Sequence, residues 1–264
     1  MAVKEIYFEE NKLSYQISGE GIPVVLLHGF GEDIGIWKEF VAFAQFRFQF
    51  ILPDLPGSGL SASWRGDGLT KEVLAKIVHQ IIAAERLTDC ILLGHSMGGY
   101  VALAFAELFP EKIRALGLIH STAYADSPEK IIARKKSIEF IKMHGSRAFF
   151  EASIPGLFHQ PDFFKNEIDA LVEKAAGISP ETLIGYYEAM MKRPDRSQAV
   201  SSLQQPFALF IGVHDQAVPF EQSLTQTYLA PISHVKIFRN SGHMAMIEEK
   251  NNFNQALFDF LSTV

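Results

Sequence analysis

Ser96 stands in Gly94-His95-Ser96-Met97-Gly98-Gly99, a G-x-S-x-G pattern set between the apolar run Cys90 to Leu93 and the mostly apolar stretch Gly98 to Phe109. A serine held on a tight strand-to-helix turn needs small neighbours, because a Cβ at position 94 or 98 would clash where the backbone bends. The helix that follows adds unpaired N–H groups and a dipole, both of which favour developing negative charge. A serine hydroxyl is a weak nucleophile at neutral pH, so it also needs a base to take its proton and an acid to fix that base. Two later loops supply them: Gly212-Val213-His214-Asp215 after one apolar run, and Ser241-Gly242-His243-Met244 after the next. The chemistry this predicts is attack by Ser96 on an ester carbonyl, with His243 as general base and Asp215 holding the imidazole in the right tautomer.

The elements that must position these residues are legible as short apolar runs alternating with helical stripes. Runs at Pro23 to His28, Phe48 to Leu52, Cys90 to Leu93, Ala115 to Ile119, Phe207 to Ile211 and Val235 to Phe238 read as strands of a mainly parallel sheet covered on both faces. Ile6 to Phe8 and Lys12 to Ile17 read as a hairpin, with Glu10-Asn11 at its turn. Val73, Leu74, Ile77, Val78, Ile81 and Ile82 form one stripe of a helix with Thr70 as N-cap, and Phe253, Leu257, Phe260 and Leu261 form another. The apolar helix after Ser96 should be buried all round and stop at Pro110. This predicts an α/β fold with a mainly parallel central sheet of about eight strands flanked by helices. Residues 124–203 break the alternation with helical patterns alone, at Ile131 to Met143, Phe163 to Ala176 and Pro180 to Met191. They are expected to form an inserted helical cap, with 1–123 and 204–264 making the core.

The chain order Ser, Asp, His is that of the α/β-hydrolases and not of the two main serine protease folds. The whole chain resembles an α/β-hydrolase fold enzyme, through motifs that stand in the correct order. These are His28-Gly29-Phe30-Gly31, Asp54-Leu55-Pro56-Gly57-Ser58-Gly59, the turn at Ser96, and the acid and histidine loops. The resemblance implies that the backbone N–H groups of Phe30 and Met97 form an oxyanion hole. Serine at 96 disfavours the haloalkane dehalogenase and epoxide hydrolase branches, which use aspartate there. Members of this family include esterases, thioesterases, perhydrolases, C–C bond hydrolases and ligand receptors. The implied activity is hydrolysis of a small, largely apolar carboxylic ester or thioester. C–C bond hydrolysis or lysis with the same triad is the alternative; one lyase group in menaquinone synthesis carries arginine shortly after the elbow, where this chain has Tyr100. A small-molecule receptor on the same fold is the alternative of another class.

Composition narrows the field further. A net charge of −6 argues against a phosphate-neutralising surface, and the short Arg134-Lys135-Lys136 run reads as a solvated helix face, so no nucleic-acid partner is expected. Cys90 is the only cysteine, its neighbours suggest a buried inert thiol, and a reducing, cytoplasmic setting is the simpler expectation. The opening residues lack the pattern of a signal peptide, and no apolar run approaches the roughly 20 residues that span a bilayer. No metal-ligand spacing or nucleotide-binding glycine pattern is present, so neither a metal nor a cofactor is expected. Among the other histidines, His28, His95 and His214 read as packed turn or loop residues. His120, ending a strand on the active edge, is a candidate for substrate contact. Asp54 is expected to cap a turn, and Asp126, Glu248 and Glu249 are weaker candidates for the triad acid than Asp215. Aromatic and methionine residues of the cap, among them Phe149, Phe150, Tyr187 and Met190, predict a pocket suited to an apolar group.

Overall fold

A computed structural model describes residues 2–66 and 68–264; Met1 and Asp67 lie outside the described residues. Eight strands form one sheet: β1 (Ala2–Phe8), β2 (Asn11–Ser18), β3 (Ile22–Leu27), β4 (Phe48–Pro53), β5 (Cys90–His95), β6 (Ile113–Ile119), β7 (Phe207–Gly212) and β8 (Ser233–Phe238). Their spatial order is β1-β2-β4-β3-β5-β6-β7-β8. β2 is antiparallel to both its neighbours, and every pair from β4 to β8 is parallel. The continuous apolar runs of β5 and β7 are buried along their whole length, because helices cover both faces of the middle of the sheet. β1 and β8 lie at the edges and are mostly exposed or half-buried. The turn joining β1 to β2 falls at Glu9-Glu10, one residue earlier than the sequence predicts, with Glu9 at φ +53° and Asn11 already in β2.

The helices of the core are α1 (Lys38–Ala44), α2 (Lys71–Ala84), α3 (Met97–Leu108) and, later in the chain, α10 (Lys250–Ser262). Thr70 caps α2, its hydroxyl accepting from Val73 N–H at 3.2 Å. Phe40 of α1 meets Phe253 of α10 over Phe50 and Phe210 of the sheet. α3 is buried along nearly its whole length and ends just before Pro110. Between β6 and β7 the chain makes only helices: α4 (Pro128–Ser153), α5 (Lys165–Ala175), α6 (Pro180–Met191) and the short α7 (Ser197–Ser201). α4 breaks at Gly145, where a φ of +79° suits a residue without a side chain. This block lies against the loops at the carboxyl ends of the strands. Tyr186 of α6 donates to Pro56 O at 2.7 Å, and the Phe30 ring packs on Tyr187 with centroids 4.5 Å apart. Two short helices, α8 (Phe220–Thr225) and α9 (Ala245–Glu248), follow β7 and β8. No described helix is long and apolar enough to cross a membrane.

Candidate active site

The chain leaves β3 for β4 on one side and returns to β5 on the other, so the loops after β3 and β5 face each other where the strand order reverses. Ser96 follows β5 at φ 50° and ψ −115°, a conformation that a residue with a side chain adopts only when its surroundings enforce it. Three bonds enforce it here. Ser96 N–H donates to Ile119 O at 2.9 Å, while Ser96 O accepts from Gly99 N–H at 3.0 Å and from the Ser121 hydroxyl at 2.7 Å. A Cβ on Gly94 would fall on the backbone of Gly98, and one on Gly98 would fall on the carbonyls of Leu27 and His28. The close approach of strand, turn and helix therefore needs both glycines.

Asp215 and His243 arrive on the loops after β7 and β8, and His243 Nδ1 lies 2.7 Å from Asp215 Oδ2. Asp215 Oδ1 accepts from the N–H groups of Ala217 and Val218, each at 2.8 Å. Burial alone would push this carboxyl up; His243 and His120 beside it instead hold it well below the usual carboxylate range. Asp215 is therefore an anion throughout the neutral range, fit to fix a histidine tautomer and to stabilise an imidazolium. Glu248 steadies the histidine loop by accepting from Gly242 N–H at 2.8 Å and from the Ser241 hydroxyl at 3.1 Å.

Ser96 and His243 both line a cavity of about 400 Å³ that runs between the sheet edge and the helical block. Its apolar wall includes Phe30, Phe149, Phe150, Tyr187 and Met190. The N–H groups of Phe30 and Met97 have no protein acceptor among the described residues, and both belong to the turns that flank Ser96. Gly29 N–H, one residue earlier, is taken by Glu32 Oε2 at 2.6 Å.

Glu32 and His95 pair beside Ser96. His95 Nδ1 lies 2.9 Å from Glu32 Oε2, and its Nε2 lies 3.0 Å from His243 O. Both ring nitrogens face oxygen atoms, an arrangement that favours the protonated imidazole. Burial opposes that charge, but Glu32 raises the His95 pKa above its ordinary value, and His95 in turn draws Glu32 down. The pair ties the loop after β3 to the backbone of His243.

Several side chains sit elsewhere than the sequence suggests. His120 does not line the cavity. Its φ of +46° turns the ring inward, where it is 2% exposed and its Nδ1 faces Asp215 Oδ2 at 3.2 Å, so it is a second histidine on the acid. Arg134 is not on a solvated face, although Lys135 and Lys136 are exposed. Its Nε lies 2.6 Å from Asp126 Oδ2, and it lines the cavity together with Lys130 one turn earlier on α4. The cavity is therefore apolar with a cationic part, not apolar throughout. Asp126 is taken up by Arg134 and Arg193. Asp54 caps its turn, accepting from Ile34 N–H at 3.1 Å and Leu60 N–H at 2.9 Å. His28 accepts from Leu55 N–H at 2.9 Å, and His214 stacks on His159 with centroids 3.4 Å apart. Among the described residues, His120, Asp215 and His243 are the one group whose ligand atoms converge as a metal site would, all within 4.8 Å. Those same atoms make the hydrogen bonds to Asp215 Oδ2.

A doubly covered, mainly parallel sheet with serine, acid and histidine at the ends of β5, β7 and β8 defines a hydrolase of the α/β type. The chain belongs to the alpha/beta hydrolase fold family, whose model matches residues 22–250. It is 26% identical to a 2-hydroxy-6-oxononadienedioate/2-hydroxy-6-oxononatrienedioate hydrolase of Paraburkholderia phymatum, over 96% of this chain and 91% of that protein. It is 25% identical to a 2-hydroxy-6-oxo-6-phenylhexa-2,4-dienoate hydrolase of Comamonas testosteroni, over 94% of this chain and 91% of that protein. Among solved structures it is similar to a thermophilic esterase from Thermogutta terrifontis, with a TM-score of 0.92, 27% identity and coverage of 100% of this chain and 99% of that one.

Proposed function

We propose that this chain is a serine hydrolase that cleaves the bond between a carbonyl carbon and its leaving group through an acyl-enzyme on Ser96. The observation that carries this reading is the placing of Ser96 and His243 in one cavity, with His243 held 2.7 Å from an Asp215 that stays ionised. In this reading His243 Nε2 takes the Ser96 proton as Oγ adds to the carbonyl, and the oxyanion rests on the N–H groups of Phe30 and Met97. Collapse of the adduct expels the leaving group, which takes the proton from His243. Water activated by His243 then releases the acid. The block at 124–203 acts as a cap that closes the cavity, and the substrate is a small molecule.

Two kinds of leaving group fit this sequence of steps, the carbon one once the 2-hydroxy dienoate has taken its keto form with a proton at C5, so that the electron pair of the broken bond leaves as a stabilised dienolate. The first is a carbon: hydrolysis of a C–C bond beside a ketone, supported by relatives named as hydrolases of 6-oxo dienoates along almost their whole length. The sequence alone points first to an ester, and the relatives move the weight to carbon. The second is an ester oxygen, supported by the likeness to the Thermogutta terrifontis esterase. A single panel separates them: 2-hydroxy-6-oxo-hexa-2,4-dienoates with alkyl and aryl ketone ends, and p-nitrophenyl esters of matching acyl groups. A kcat/KM at least tenfold higher for the dienoates supports the carbon reading, and the reverse order overturns it in favour of the ester. Turnover that survives in Ser96→Ala overturns both.

A further inference from the structure

The loop that carries His243 meets the helical block backbone to backbone. His243 N–H donates to Leu157 O at 2.7 Å, and a Cβ on Gly242 would come within 2.5 Å of that carbonyl and 2.9 Å of His159 N. Gly242 lacks a positive φ, so the close approach of residues 157–159 is what its missing side chain serves. Glu248 bonds to both sides of this contact. Its Oε1 accepts from His159 N–H at 2.7 Å, and its Oε2 accepts from Gly242 N–H at 2.8 Å and from the Ser241 hydroxyl at 3.1 Å. The His159 ring lies flat on that of His214, the residue before Asp215, and His214 N–H donates to Ser241 O at 3.0 Å.

Residues 157–159 are built as a fixed strut and not as a flap. Pro155 and Pro161 bracket them, and the N–H groups of Leu157 and Phe158 close turns on Ile154 O and Pro155 O. The Phe158 ring is buried against Phe164, and Leu157 lines the cavity that holds Ser96. The main chain of His243 is thereby held on two sides, its N–H by Leu157 and its carbonyl by His95 at 3.0 Å, while Asp215 takes the ring at 2.7 Å. The ring position that serves Ser96 therefore depends on a bond from the helical block. A displacement of about 1 Å at a catalytic group can cost on the order of a hundredfold in rate. Opening the cavity along this edge would break the bond on His243 N–H.

We propose that residues 157–159 of the helical block, joined to the histidine loop by Glu248, are positioning residues for His243, so that the block completes the triad as well as covering the cavity. The proposal rests on the acyl-enzyme reading above and goes beyond the part of the block in enclosing substrate. It makes the block necessary for chemistry even on a substrate too small to be held by it.

The test reads turnover of p-nitrophenyl acetate, whose short acyl group leaves most of the aromatic wall untouched, together with the low-field proton resonance of the His243–Asp215 hydrogen bond. In Glu248→Gln the amide offers one acceptor where the carboxylate offers two, so one side of the contact loses its partner. Its kcat should fall at least tenfold with KM within twofold of native, and the resonance should shift or broaden. Gly242→Ala, which drives Leu157 O away, should do the same more strongly. Tyr186→Phe removes a bond that joins the block to the core elsewhere, at Pro56 O, and should leave both readouts at native values. Native kcat and an unmoved resonance in Glu248→Gln overturn the proposal, even where Gly242→Ala fails to fold. An equal loss of kcat in Tyr186→Phe also overturns it, by tracing the effect to a loosened block. A failure of the acyl-enzyme reading looks different: Ser96→Ala turns the ester over as fast as the native chain, while the resonance still responds to Glu248→Gln.

Discussion

Replacing Glu32 by alanine tests whether the site rests on a buried ion pair. The substitution removes the acceptor of Gly29 N–H at 2.6 Å and the counter-charge of His95 at 2.9 Å, in a place where the Glu32 side chain is 8% exposed and the His95 side chain 0%. Breaking a buried pair by removing one partner costs about 3 to 5 kcal/mol, because the other charge is left uncompensated. That is a large share of the ~5 to 15 kcal/mol by which domains are stable. The pH dependence carries the sharper signature. Glu32 titrates below its ordinary 4.5, so its contribution is present above about 4.5 and is lost as pH falls through its lowered value. His95 titrates above its ordinary 6.5, so its contribution is complete below about 6.5 and is lost as pH rises through its raised value. The cost of Glu32→Ala, measured by urea unfolding, should therefore be greatest between pH 4.5 and 6.5. At alkaline pH it should shrink toward the ~1 to 3 kcal/mol of an unpaired Gly29 N–H. Glu32→Gln keeps a carbonyl for Gly29 and an amide for a neutral His95, so it should cost less and lose most of the pH dependence. A cost below about 1 kcal/mol at pH 6, or one that is flat with pH, would refute the ion pair.

Other consequences are more local. Asp215→Asn should leave the fold intact and lower kcat by about 10⁴-fold, since the amide cannot hold the imidazole in the working tautomer; a loss under tenfold would exclude Asp215 as the orienting acid. His120 is pushed down to about 4 by burial, while the unfolded chain protonates it near 6.5, so the native chain should lose stability as pH falls between those values, by up to about 1.4 kcal/mol per pH unit. His120→Asn, which suits a positive φ and can still donate to Asp215, should flatten that part of a profile of thermal midpoint against pH. An unchanged slope would show that His120 does not titrate there. Tyr186→Phe removes the donor to Pro56 O and should cost about 1 to 3 kcal/mol in urea unfolding; no measurable cost would mean that this bond does not hold the helical block to the core.

What the sequence made legible is what local pattern controls. The buried runs at Pro23 to His28 and Cys90 to Leu93 could be placed because strands covered on both faces have no alternation to obscure. The elbow could be placed because its glycines are demanded by close backbone approach, and the order of Ser96, Asp215 and His243 follows from which strand each loop leaves. What stayed hidden depends on side-chain direction and on partners distant in the chain. Glu32 reads as an ordinary loop acid until folding brings His95 beneath it, 63 residues later. His120 could be placed at the active edge, but its inward turn follows from a φ of +46° that no nearby residue announces. Arg134 sits in a basic run that resembles a solvated face; the signal available was its spacing of four from Lys130, which sets both on one side of α4. Glu248, weighed as a rival acid, serves instead as the acceptor that holds the loop of His243.

The central claim is that Ser96 is the nucleophile and that His243 makes it one. A fluorophosphonate probe followed by intact-mass and peptide analysis tests it most directly. The account predicts a single adduct on the peptide carrying Ser96, no adduct in Ser96→Ala, and labelling slowed by at least a hundredfold in His243→Ala. An adduct on any other residue, or labelling at the native rate without His243, would contradict it.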